Sequence, residues 1–163
     1  MNKFINSLVN RLPRPLRDNI NLKLWGINTP LISYLKPRVI SIDEKRVVLE
    51  IKLSRRANSN WNSMFMGSLA TGIDITGGFL AFDKSVEMNI GILYKDISMQ
   101  FLRRADGDVH FICENGDEIN EGLRKAYETG ERINVPVEVK CFVPPSTEPC
   151  VIGHSTLSMK RRK

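Results

Sequence analysis

The chain has 163 residues, 42% of them hydrophobic and 26% charged, which excludes a disordered or fibrous polymer and leaves one core with little room for a second independent domain. A net charge of +6 suits an anionic ligand or surface, although a solvated basic surface accounts for it equally well. The three cysteines, Cys113, Cys141 and Cys150, are widely spaced and form no CxxC pair, which argues against a disulfide framework or a zinc site and fits a reducing cytoplasm.

The opening stretch, "MNKFINSLVNRLPRPLRDNINLKLW", is interrupted by Asn, Arg and Pro before an apolar signal region can build up. Phe4, Ile5, Leu8 and Val9 recur at helical spacing, so residues 1–36 read as an N-terminal extension of short amphipathic helices covering an edge or mouth of the main domain, 37–163. A basic amphipathic helix can also lie on an anionic membrane. Arg38 to Leu53 holds two β-branched runs around "DEK", a hairpin pattern, and its second arm alternates Val47, Leu49, Ile51 and Leu53 against Val48, Glu50 and Lys52. "GILYKDISMQFLRR", the turn "ADGD" and "VHFICE" read as a second hairpin. A short helix follows in "NGDEINEGLRKAYETGE", and then come two strands, "INVPVEVKCFV" and "CVIGHSTLSMK". Pro136 suggests that the first of these is an edge strand or starts late. The fold class is α+β with an antiparallel sheet.

Between the first strands and the rest lies Ser63 to Phe82, nearly uncharged and rich in glycine, with Asp74 near its middle. A carboxylate at the centre of a membrane span would cost roughly 3 kcal/mol, so this segment reads as a long buried helix rather than a transmembrane one. At 100° per residue, Gly67, Ala70, Thr71, Gly77, Gly78 and Ala81 fall near Asp74, while Leu69, Ile73, Thr76 and Leu80 fall opposite. Each glycine inside a helix costs roughly 1 kcal/mol, so Gly67, Gly72, Gly77 and Gly78 require close approach of a neighbour or a ligand. Either Asp74 pairs with an arginine in a packed interface, or the small face leaves room for a substrate beside a carboxylate. Asn62 or Ser63 could cap the helix, and the N–H groups near Met66 and Gly67 would face a carbonyl oxygen with the positive end of the dipole.

These residues resemble those of the hotdog-fold thioesterase superfamily, in which a sheet wraps a long central helix. "MFMG", Met64 to Gly67, with Asp74 seven residues after Gly67, is similar to the Met-Phe-Gly-Gly segment and following acid of the acyl-CoA thioesterase branch. "FLRRADGDVHF" is similar to the Arg-Pro-Ala-x-Gly-Asp strand and turn of many hotdog proteins. The phenylacetate-type branch has His-Gly-Gly where this chain has Phe65, Met66 and Gly67, so no histidine polarises a thioester by that route. His110 and His154 lie in predicted strands as surface or satisfied histidines.

The resemblance implies an acyl-CoA or acyl-carrier thioester hydrolase. Asp74 would be general base on water, or alternatively the nucleophile, and the Gly67 N–H would hold the carbonyl oxygen. Asn60 or Asn62 would bind that oxygen or position water, and Thr71 would hold the water. Arg103 and Arg104 would meet the phosphates of coenzyme A, which enters as part of the substrate and not as a separate cofactor. It further implies a homodimer, able to pair into a tetramer, with the active site between protomers. The competing readings are a non-catalytic acyl-ligand-binding hotdog protein and a protein peripheral to a membrane. Nucleic acid is not expected, because no basic and aromatic residues interleave.

Overall fold

The computed structural model describes residues 14–162. The helical spacing of Phe4 to Val9 lies outside the described residues. Helix α1 spans Arg14–Asn28 and α2 spans Pro30–Leu35, with Pro30 in the first turn, where its missing N–H breaks no helical bond. They fold back on each other tightly: a Cβ on Gly26 would lie 2.5 Å from Ser33 Oγ. Strands β1 (Arg38–Ile42) and β2 (Val47–Ile51) form the expected hairpin. The Asn19 side chain of α1 donates to the Val39 carbonyl and accepts from the Val39 N–H, at 3.2 and 3.0 Å, so that the helix blunts the β1 edge.

The central helix, α3, spans Met66–Glu87 and carries a mainly apolar sequence. Strands β3 (Ile90–Phe101) and β4 (Val109–Cys113), helix α4 (Gly116–Thr129), and strands β5 (Ile133–Phe142) and β6 (Val151–Arg161) complete the chain. Gly130 ends α4 at φ 70°, a left-handed conformation that glycine adopts without penalty. The sheet is antiparallel with order β1-β2-β4-β5-β6-β3, and α3 packs along its inner face. Val47, Leu49 and Ile51 of β2, Phe111 of β4, Val139 of β5 and Leu157 of β6 are all fully buried in one core with Ile73 and Ile75. Each such side chain contributes about 1.5–3 kcal/mol by leaving water. This is the wrapped-helix arrangement of the hotdog fold.

Two expectations are corrected. The stretch around "ADGD" is not a hairpin turn, because β3 pairs with β6 along its whole length and lies at the opposite edge of the sheet from β1. Residues 102–108 instead cross the end of the sheet: the Leu102 and Arg103 N–H groups donate to the Cys150 carbonyl, the Ala105 carbonyl accepts from Met64, and Asp108 Oδ1 accepts from the Leu53 N–H. Strand β5, likewise, starts before Pro136 and lies inside the sheet. Its ladder with β4 begins only at Val139, so Pro136 sits where β5 is paired with β6 alone. The proline marks a local edge in an interior strand.

Candidate active site on the central helix

Helix α3 turns Leu69, Ile73 and Thr76 into the sheet, with the Ile73 side chain lying against Gly153 of β6. The side left partly open carries Gly67, Ala70, Thr71 and Asp74, spaced i, i+3, i+4, i+7 as a single stripe. Gly77, Gly78 and Ala81, predicted on the same stripe, are buried. The Tyr94 hydroxyl of β3 and the Trp25 ring of α1 fill the space beside Gly77 and Gly78. The Trp25 ring also stacks on Phe79 and Phe82, with centroids 5.9 and 5.1 Å away. The helix glycines therefore admit aromatic side chains: Phe111 occupies the place of a Gly72 Cβ, at 2.2 Å, and the Phe65 ring covers Gly67.

The Asp74 carboxylate has no hydrogen-bond or ion-pair partner among the described residues, so no described arginine pairs with it. Burial raises its pKa above the ordinary carboxylate value, and no cation among the described residues opposes the shift. Its backbone carbonyl accepts a hydrogen bond from Tyr94 Oη, which locks β3 to the helix at this position. Burial also pushes the Tyr94 phenol above its usual range, so it stays protonated and donating.

At the head of α3 the N-cap is Phe65, not Asn62 or Ser63, and no side chain caps the helix. The Ser68 and Leu69 N–H groups turn back to the Phe65 carbonyl, while those of Met66 and Gly67 find no acceptor among the described residues. Two free donors thus stand at the positive end of a 22-residue helix. Asn60 and Asn62 lie exposed in the preceding loop, Asn62 in the left-handed region at φ 52°, and neither reaches the helix terminus as a cap. The Thr71 hydroxyl donates to the Gly67 carbonyl at 2.8 Å, leaving its lone pairs to accept from water.

A pocket of about 560 Å³ opens beside this terminus, lined in part by Phe65, Met66, Leu69 and Phe101, with both Arg103 and Arg104. Strand alternation does not separate the two arginines, because β3 ends at Phe101 and both lie in the loop beyond it. The Arg103 guanidinium donates to Ser146 Oγ at 2.8 Å and pairs with Glu148 at 3.5 Å. Arg104 donates to the Trp61 carbonyl. His110 and His154 both stand on the outer face of the sheet, 3.6 Å from Glu50 and 3.7 Å from Glu138, away from α3.

Sequence reasoning missed Tyr94 and Ser155. The Ser155 hydroxyl is buried on the inner face of β6 without a hydrogen-bond partner among the described residues, directly across the ladder from Ile97 of β3. Ile97 and Phe101 share that inner face yet remain 46% and 55% exposed, so α3 leaves this end of the sheet uncovered. The adjacent glycines 77 and 78 were the available signal for Tyr94, since they announce a bulky intruder. A lone serine in a strand announces nothing. The cysteines are free and buried; burial pushes the Cys113 thiol up to about 11, so none is a ready nucleophile. No group of three or more metal-ligating side chains occurs among the described residues.

A family model described as Domain of unknown function (DUF4442) matches residues 18–143. No curated protein sequence matches the chain. Among solved structures, a protein from Pseudomonas aeruginosa described as a probable thioesterase is similar over 93% of this chain and 97% of its own, at TM-score 0.75 and 18% identity. A thioesterase from Haemophilus influenzae is similar over 86% and 89%, at TM-score 0.66 and 14% identity. A thioesterase family protein from Silicibacter pomeroyi is similar over 89% and 99%, at TM-score 0.64 and 16% identity. At these identities the likeness carries the fold, which is the hotdog fold.

Proposed function

The chain belongs to the DUF4442 family, and from that premise and the geometry of α3 we propose that it hydrolyses acyl thioesters, with acyl-coenzyme A or an acyl-carrier thioester as substrate. The observation that carries the reading is one partly open stripe on α3 with two free N–H donors at its head and, two turns on, a half-buried carboxylate with no partner among the described residues. The thioesterase descriptions of structural neighbours support it. Asp74 takes a proton from water as its oxygen attacks the thioester carbonyl carbon. The resulting oxyanion accepts from the Gly67 N–H. The C–S bond then breaks, and the thiolate recovers the proton from Asp74, giving acid and thiol. A raised pKa makes Asp74 a stronger base than an exposed aspartate.

Gly67 and Asp74 lie seven residues apart, about 10 Å along one helix axis, too far for both to serve the same carbonyl. A second copy resolves this. Strand β3 is a twelve-residue edge, with Ile97 and Phe101 exposed on its inner face. Antiparallel pairing of two such edges sets the two α3 helices side by side, and a two-fold axis near Ala70 and Thr71 brings Gly67 of one protomer opposite the partner's Asp74. The small residues at the axis permit close approach. Arg104, bonded only to a neutral carbonyl among the described residues, keeps its charge for a substrate phosphate, whereas Arg103 is partly neutralised by Glu148.

The test is thiol release from short, long and aromatic acyl-coenzyme A esters by the wild-type protein. The reading expects turnover of one class. Tight binding of a non-hydrolysable acyl-coenzyme A without turnover of any ester would make this a non-catalytic ligand-binding hotdog protein instead.

A further inference from the structure

The charge of the chain is distributed unevenly. Residues 1–42 hold seven of the 24 Lys and Arg residues and one of the 18 acids, Asp18, whereas residues 43–163 hold 17 of each. The net +6 thus lies entirely within the first 42 residues. Asp18 is buried and ion-paired with Arg17 at 3.2 Å, so it presents little negative charge to solvent.

The described part of this region also exposes apolar side chains. On the α1–α2 hairpin and β1, Ile27 is 71% exposed, Leu31 and Tyr34 each 53%, and Ile40 48%. The same hairpin and β1 line a groove of about 740 Å³, with buried Leu22, Ile32 and Val39 and exposed Lys23, Lys36, Arg38 and Ile40 in its wall. Arg38 is held by Glu50, but Lys23 and Lys36 are exposed and have no ion-pair partner among the described residues. Arg56 adds a further cation beside this surface, 5.5 Å over the Tyr34 ring and bonded to the Tyr34 carbonyl.

We infer that the α1–α2 hairpin and β1 form a docking surface for an anionic phospholipid bilayer. Exposed Ile, Leu and Tyr side chains ringed by cations are the amphipathic pattern of an interfacial anchor: the apolar groups enter the headgroup region and the lysines meet lipid phosphates. A nucleic-acid surface would have no use for exposed aliphatic side chains, and an interface between copies would juxtapose like charges. The groove supplies an apolar cleft next to the lysines in which part of a lipid acyl chain can lie. No helix of the described residues is long and apolar enough to cross a membrane, so the contact is peripheral. This inference stands apart from the thioester reading and survives its failure.

Flotation of the full chain with phosphatidylcholine vesicles, with and without 30% phosphatidylglycerol (a composition of roughly physiological anionic content), tests it. The chain should float with the anionic vesicles only and be released as salt is raised. Lys23→Gln with Lys36→Gln, which removes two charges, should weaken binding roughly thirtyfold. Ile27→Ser with Leu31→Ser should weaken it at unchanged charge. All four positions are exposed, so circular dichroism and thiol release should stay at wild-type levels, separating this surface from the α3 site. Absence of binding to either vesicle, equal binding to both, or binding indifferent to both double variants overturns the inference. A change in oligomeric mass in these variants without vesicle binding also overturns it, by making the face an interface between copies.

Discussion

An unpartnered, half-buried carboxylate is hard to ionise, and the consequence at Asp74 has a definite sign. Its folded-state pKa is raised above the unfolded value, so the folded state holds its proton more tightly. Stability falls as pH rises through the window between those two values and stays reduced above it. Asp74→Asn should therefore raise the urea midpoint at neutral pH, with the gain shrinking as pH is lowered toward the ordinary aspartate range. Equal midpoints at every pH would show that the carboxylate bears no burial cost. Ser155 makes a parallel case. Its hydroxyl is buried without a partner among the described residues, so Ser155→Ala should leave the stability read from the melting temperature unchanged or raise it by about 1 kcal/mol at most. A fall of several degrees would reveal a partner. Asp74 was legible in the sequence because one charge in a long apolar segment has to be accounted for. Ser155 was not, since its burial depends on which strand β6 faces.

The helix that carries Asp74 is a compromise between backbone preference and space. Replacing Gly72 by alanine gains up to about 1 kcal/mol of helix propensity, yet the new Cβ would meet the Phe111 ring at 2.2 Å. Phe111 is fully buried and has nowhere to turn, and overpacking of this kind costs roughly 1–3 kcal/mol, so Gly72→Ala should lower the thermal midpoint. A rise would mean that Phe111 repacks freely. The same contact shows how far local reading extends. The alternation of Val47, Leu49 and Ile51 announces a strand, and the polar run closed by Gly130 a helix, because both signals are local. That β3 pairs with β6 and not with the neighbouring β4 is a nonlocal fact. The turn-like "ADGD" suggested otherwise because Asp and Gly also suit a loop that crosses a sheet end, where Asp108 accepts from the Leu53 N–H. The helix cap was misread for a similar reason: Asn62 and Ser63 have capping side chains, but α3 begins after Phe65.

At the scale of the molecule, the two edges of the sheet differ in kind. Asn19 and α1 cover β1, while β3 offers twelve residues with apolar side chains exposed. If that edge joins two copies into one composite site, Ile97→Asp should yield a folded monomer by light scattering and abolish thiol release with it. A dimer that survives the substitution would place the interface elsewhere. Whether Asp74 is the base is decided by comparing thiol release by the wild-type protein and Asp74→Asn on whichever ester the wild type prefers. The folded variant should lose at least about a hundredfold, the usual scale of general-base catalysis. Equal turnover by the two proteins would contradict that assignment and return Asp74 to a structural role.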